Sequence, residues 1–70
     1  MKNAKAKFVI FKDINRQFRW HVLTRNGRII AESGEAYNRK AQIFKTLRLT
    51  SDSNEVKLFG VTATIVDETL

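Results

Sequence analysis

Cysteine and proline are absent from this chain, and histidine occurs once. Without cysteine there is neither a disulfide framework nor a thiolate metal site. With one histidine, a metal would have to rest on carboxylates. Asp13, Glu32, Glu35, Asp52, Asp67 and Glu68 are scattered and lack calcium-loop spacing. No metal and no cofactor are expected. Long apolar runs are missing too. None approaches the roughly 20 residues of a membrane span. The basic start, Met1 to Lys7, leads only into Phe8 to Phe11, short of a secretory leader. The expectation is a soluble cytoplasmic protein.

What is present is a basic, moderately apolar chain of 70 residues, 43% hydrophobic, with a net charge of +6. That apolar fraction excludes disorder as the default. A chain this short buries only about 60% of its unfolded surface. Small domains without disulfides or metal commonly rely on a partner subunit, so a second copy is the expected support. The charge is uneven. Residues 1–30 carry Lys2, Lys5, Lys7, Lys12, Arg16, Arg19, Arg25 and Arg28 against Asp13 alone, a net +7. Residues 31–70 carry five basic and six acidic groups, a net −1. A basic half of this kind attracts nucleic acid by counterion release. It also serves plain solubility.

Residues 1–6 read as a flexible basic tail, and 7–70 as a single domain. Lys7 to Lys12 is rich in β-branched and aromatic residues and reads as a strand. Asp13 to Gln17 reads as a loop. Phe18 to Arg25 alternates with period two, with Phe18, Trp20 and Val22 on one face and Arg19, His21, Leu23 and Arg25 on the other. Asn26-Gly27 then predicts a type I′ hairpin turn. That turn pairs Arg25 with Arg28, Leu23 with Ile30, His21 with Glu32 and Trp20 with Ser33, and makes a third strand over 28–35. Ala41, Phe44 and Leu47, with Ile43 beside them, recur at helical spacing. They predict a helix over 39–50 capped by Asn38. A polar loop, 50–55, follows. Residues 56–66 are strand-like, with Gly60 as a bulge, a bend or a turn between two strands.

The fold class is therefore α+β: a three-stranded antiparallel meander, one helix, then one or two C-terminal strands. One helix covers one sheet face with Phe18, Trp20, Val22, Ile29 and Ala31. Yet the first strand is apolar on both faces, with Phe8 and Ile10 on one and Val9 and Phe11 on the other. Leu23 and Ile30 fall on the second face, and Leu58-Phe59 adds apolar area. An all-apolar strand argues for burial on both sides. A homodimer would supply the missing cover.

Lys12-Asp13, Phe18-Arg19-Trp20, Asn26-Gly27, Ile30-Ala31, Ser33-Gly34-Glu35, Tyr37 and Lys40-Ala41 stand in order and at close spacing. In these residues the chain resembles the YegP-like family of small proteins of uncharacterised function, over about residues 7–50. Two positions depart from that pattern: Asn15-Arg16 replaces a glycine in the first loop, and Ala36 replaces a glycine before Tyr37. The resemblance implies a β-β-β-α-β unit that occurs in pairs, builds one continuous sheet and exchanges C-terminal strands. For one unit it implies a homodimer with exchanged ends and loop 50–55 as hinge. No activity comes with it.

The side chains themselves carry little catalytic signal. His21 opposite Glu32 lacks a nucleophile on the same face. Ser33-Gly34-Glu35 lacks the flanking residues of a nucleophile elbow or a phosphate loop. Trp20 with Phe18 would stack bases only if their face were not the core. The expectation is a homodimeric structural or interaction domain without catalysis. The alternative is a nucleic-acid-binding accessory protein contacting its target through Arg16, Arg19, Arg25 and Arg28.

Overall fold

The computed structural model describes residues 6–50, 52–58 and 60–69. Most of the predicted tail (1–5), Ser51 of the predicted hinge, and Phe59 lie outside the described residues. The protein is an α+β fold with one helix and a five-stranded mixed sheet. Its elements are β1 (Ala6–Lys12), β2 (Phe18–Leu23), β3 (Ile29–Glu32), α1 (Lys40–Thr46), β4 (Glu55–Leu58) and β5 (Val61–Asp67). Their order in the sheet is β3-β2-β1-β5-β4.

This order explains the apolar first strand. β1 lies at the centre, antiparallel to β2 and parallel to β5 of the same chain. Phe8 and Ile10 point to the helix side and are fully buried. Val9, on the other face, is only 3% exposed, because its register neighbours His21 and Val66 flank it within the sheet. The stretch 56–66 is two strands. β4 and β5 form an antiparallel hairpin that pairs Leu58 with Val61 around Gly60, whose φ is +76°.

The helix side holds the core: Ala6, Phe8, Ile10, Val22, Ile43, Val56 and Ala63. Trp20 belongs to it, stacked on Phe8 with ring centroids 5.0 Å apart. α1 has seven residues, shorter than the predicted 39–50. An isolated helix of that length is unstable in water, so packing and end bonds must hold it. Ile43, fully buried, is its anchor, and Phe44 and Leu47 pack beside it. Ala41, predicted on the apolar stripe, is exposed.

Both helix ends differ from expectation. The Gln42 side chain, rather than Asn38, closes the start: its Oε1 accepts the N–H groups of Asn38 at 3.0 Å and Arg39 at 3.2 Å. At the other end Arg48 turns left-handed (φ +57°). Leu49 N–H then bonds Phe44 C=O at 2.7 Å, and Arg48 N–H bonds Lys45 C=O at 3.1 Å. That pattern is a Schellman motif, which usually has glycine where Arg48 stands.

The β2–β3 connection is also corrected. Thr24 N–H bonds Arg28 C=O at 2.8 Å, and Gly27 N–H bonds Thr24 C=O at 2.9 Å. The loop therefore has three residues, with Gly27 alone left-handed (φ +84°), instead of the two-residue type I′ turn. This geometry avoids placing Arg25 directly opposite Arg28, an unfavourable like-charge pair. Leu23 pairs with Ile29, not Ile30. Ile29 thereby joins the uncovered face rather than the helix side. A bulge at Ile30 restores the predicted register, so Val22 meets Ala31 and His21 meets Glu32. Beyond β3, Ser33 still bonds Trp20, and Phe18 bridges Tyr37. Gly34 to Ala36 loop out between those contacts.

Candidate functional site

The four arginines of the nucleic-acid reading divide between the two ends of β2. Arg16 lies in the β1–β2 loop and Arg19 just inside β2. Arg25 and Arg28 lie in the β2–β3 loop. Six strand residues at about 3.3 Å each hold the loops roughly 20 Å apart. Arg16, Arg25 and Arg28 are exposed and make no ion pair among the described residues. Arg19 is committed: its Nε donates to Asp13 Oδ2 at 2.8 Å. Asp13 is the organising group of its loop. Its Oδ1 accepts the N–H groups of Asn15 at 2.9 Å and Gln17 at 3.0 Å. The Arg19 hydrogen bond, followed by that of Gln17, holds its carboxyl below the ordinary 3.8.

The face away from α1 carries Val9 and Phe11 of β1, Arg19, His21 and Leu23 of β2, and Val66 of β5, as the strand registers require. The Phe11 and His21 rings lie 4.6 Å apart. At the β3 edge, Ile29 and Ile30 are 52% and 49% exposed. His21 stands opposite Glu32 as predicted, and Ser33 takes the other face. Ser33 is 6% exposed, and its Oγ accepts Trp20 N–H at 3.3 Å. That bond uses the hydroxyl structurally.

A second ion pair ties the end of β5 to the helix. Lys40 Nζ donates to Asp67 Oδ2 at 2.6 Å, and Thr69 N–H donates to Oδ1 at 2.8 Å. Burial pushes the Asp67 carboxyl up, but the Lys40 and Thr69 hydrogen bonds outweigh it, and the net shift is downward.

A solvent-open groove of about 360 Å³ runs between residues 35–38 and α1. Glu35, Tyr37, Asn38, Gln42, Lys45 and Thr46 line it, with Ala36. Asn38 Oδ1 accepts Gln17 Nε2 at 3.1 Å, which ties the groove wall to the first loop. The sequence reading missed this groove, having assigned Asn38 to capping alone. The available signal was the polar series 38, 42, 45, 46, which is one stripe at helical spacing.

No helix among the described residues is long and apolar enough to cross a membrane. Comparison with protein-family models, with curated proteins and with solved structures gives no match in any of the three.

Proposed function

We propose that this chain is a YegP-like interaction module of the cytoplasm that works without catalysis. It acts as a homodimer whose copies exchange the β4–β5 hairpin. The observation that carries the reading is the position of β5. This strand lies inside the sheet beside β1, yet its hairpin is joined to α1 by one polar linker, 50–54. A hairpin supplied by a second copy reproduces every β1–β5 contact and changes only the linker. In the closed chain the linker folds on itself: Thr50 N–H donates to Ser53 Oγ at 3.0 Å, and Ser53 N–H to Thr50 C=O at 3.1 Å. The exposed Ile29 and Ile30 at the β3 edge favour self-association as well.

Light scattering at micromolar concentration tests this. A mass of twice the chain's 8.1 kDa is expected, and 8.1 kDa across the concentration range would overturn it. Deleting residues 51–53 prevents the hairpin from folding back and should drive the chain wholly into dimers. A monomeric deletion variant would refute the exchange.

A second reading is favoured by Arg16, Arg25 and Arg28, exposed without ion pairs among the described residues. It is nucleic-acid binding by an accessory protein. Mobility shift of mixed DNA and RNA at low salt tests it, with Arg16, Arg25 and Arg28 changed together to Glu as the control. Binding that falls with salt and vanishes in the variant is expected; no binding at low salt would end this reading.

A further inference from the structure

We infer that the groove between residues 35–38 and α1 binds a phosphate monoester, held by Lys45 and the side-chain NH₂ groups of Asn38 and Gln42. This site does not depend on self-association and uses no arginine of the two loops, although Gln17 of the β1–β2 loop holds Asn38. The argument rests on how the two amides are already used. Asn38 commits its oxygen to Gln17 Nε2, and Gln42 commits its oxygen to the N–H groups of Asn38 and Arg39. An amide with its oxygen so engaged has a fixed orientation, and its two N–H donors remain available. Both residues line the groove, and neither NH₂ group has a partner among the described residues.

Lys45 adds a cation there, without a carboxylate partner among the described residues, and Thr46 adds a hydroxyl. A phosphate monoester carries nearly two negative charges at neutral pH and three acceptor oxygens. It matches this set of donors, and charge-assisted bonds are the strong ones. The half-buried Tyr37 ring gives the organic part of the ligand an apolar surface. Glu35 is the groove's one carboxylate and suits a ligand hydroxyl. A volume of about 360 Å³ lies at the lower end of the range for small-molecule sites.

The test is a titration of the full chain with inorganic phosphate, 5′-AMP and a short single-stranded oligonucleotide, followed by NMR of the side-chain amides. Saturable shifts of the Asn38 and Gln42 NH₂ signals are expected with phosphate and 5′-AMP. Lys45→Gln should weaken binding about tenfold or more, the scale of one lost charge-assisted bond. Gln42→Glu is the decisive variant. It keeps an acceptor for the Asn38 and Arg39 N–H groups, so the fold and melting temperature hold. It replaces the NH₂ donor by a carboxylate oxygen, so phosphate binding should disappear. Asn38→Asp should behave likewise.

Tighter binding of the oligonucleotide at the same amides would instead identify a phosphodiester backbone as the occupant and overturn the monoester assignment. So would shifts confined to Arg16, Arg25 and Arg28. No saturable shift at millimolar phosphate, or unchanged affinity in Gln42→Glu, would overturn the site itself.

Discussion

The two hairpin loops flanking β2 share one geometry and differ in the residue that bears its strain. In the β1–β2 loop, Asp13 N–H bonds Gln17 C=O at 2.9 Å and Arg16 N–H bonds Asp13 C=O at 3.0 Å. In the β2–β3 loop, Thr24, Arg28 and Gly27 make the same two bonds. Side-chain anchors match as well: Asp13 Oδ1 accepts Gln17 N–H, and Thr24 Oγ1 accepts Arg28 N–H at 3.1 Å. The left-handed third position is Arg16 (φ +62°) in one and Gly27 (φ +84°) in the other. An L-residue with a Cβ costs about 1–2 kcal/mol there, and glycine almost nothing. The carboxylate of Asp13 answers that strain with three hydrogen bonds, to Asn15, Gln17 and Arg19. Thr24 offers one. A strained loop with a strong anchor and a relaxed loop with a weak one reach the same shape.

Substitutions that exchange these roles break the comparison. The largest effect is expected for Gly27→Ala. It imports the left-handed strain into the loop with the weaker anchor, costing about 1–2 kcal/mol, or roughly 4–16 °C in melting temperature for a domain of this size. A Cβ at Gly27 meets no atom within 4 Å, so the effect isolates backbone strain from steric contact. Thr24→Val comes next, with about 0.5–1.5 kcal/mol lost with its single bond. Arg16→Gly is expected to stabilise, by about 0–1.6 kcal/mol. Strain is relieved, while the freer unfolded chain takes back about 0.4–1 kcal/mol. All three follow from thermal melts by circular dichroism.

The pH profile sharpens the contrast further. Asp13 is held below its ordinary value, so its contribution is complete above pH 3.8 and is lost as pH falls through its lower folded value. Thr24 has no charge to lose. Asp13→Asn should therefore melt lower than the parent chain at pH 7, and the two should converge as the pH falls below 3.8. Asp67, whose carboxyl is also lowered, adds an acid loss common to both proteins and leaves the convergence intact.

These loops also show where a sequence reading runs out. Asn26-Gly27 located the second hairpin correctly, but not its length. Length depends on whether one or two residues turn left-handed, and Thr24 Oγ1 favours the three-residue form. The pairing of His21 with Glu32 survived only because the bulge at Ile30 absorbed the difference. The helix boundary slipped for a related reason: Arg48 occupies a left-handed position that glycine normally marks, so nothing in the residue pattern announced the stop. Asn38 looked like a cap, while the longer Gln42 side chain reaches back to do that work. By contrast, the apolar run Phe8 to Phe11 was legible as a strand buried on both faces, although the reading took its cover from a second copy rather than from a central place in the chain's own sheet. That the strand on one side of β1 is a parallel β5 was not legible, since that contact joins the first described residues to the last. The four arginines were read as one patch, whereas β2 separates them into two pairs.

The β1–β5 contact is also where the central claim is most exposed. An equal mixture of ¹⁵N-labelled and ¹³C-labelled chain, unfolded and refolded together, reports whether Phe8 and Ile65, register partners across β1 and β5, belong to one chain or two. Exchange of the β4–β5 hairpin predicts cross-label nuclear Overhauser contacts between them in the dimer. Contacts found only within single chains, in a sample of proven dimers, would contradict it.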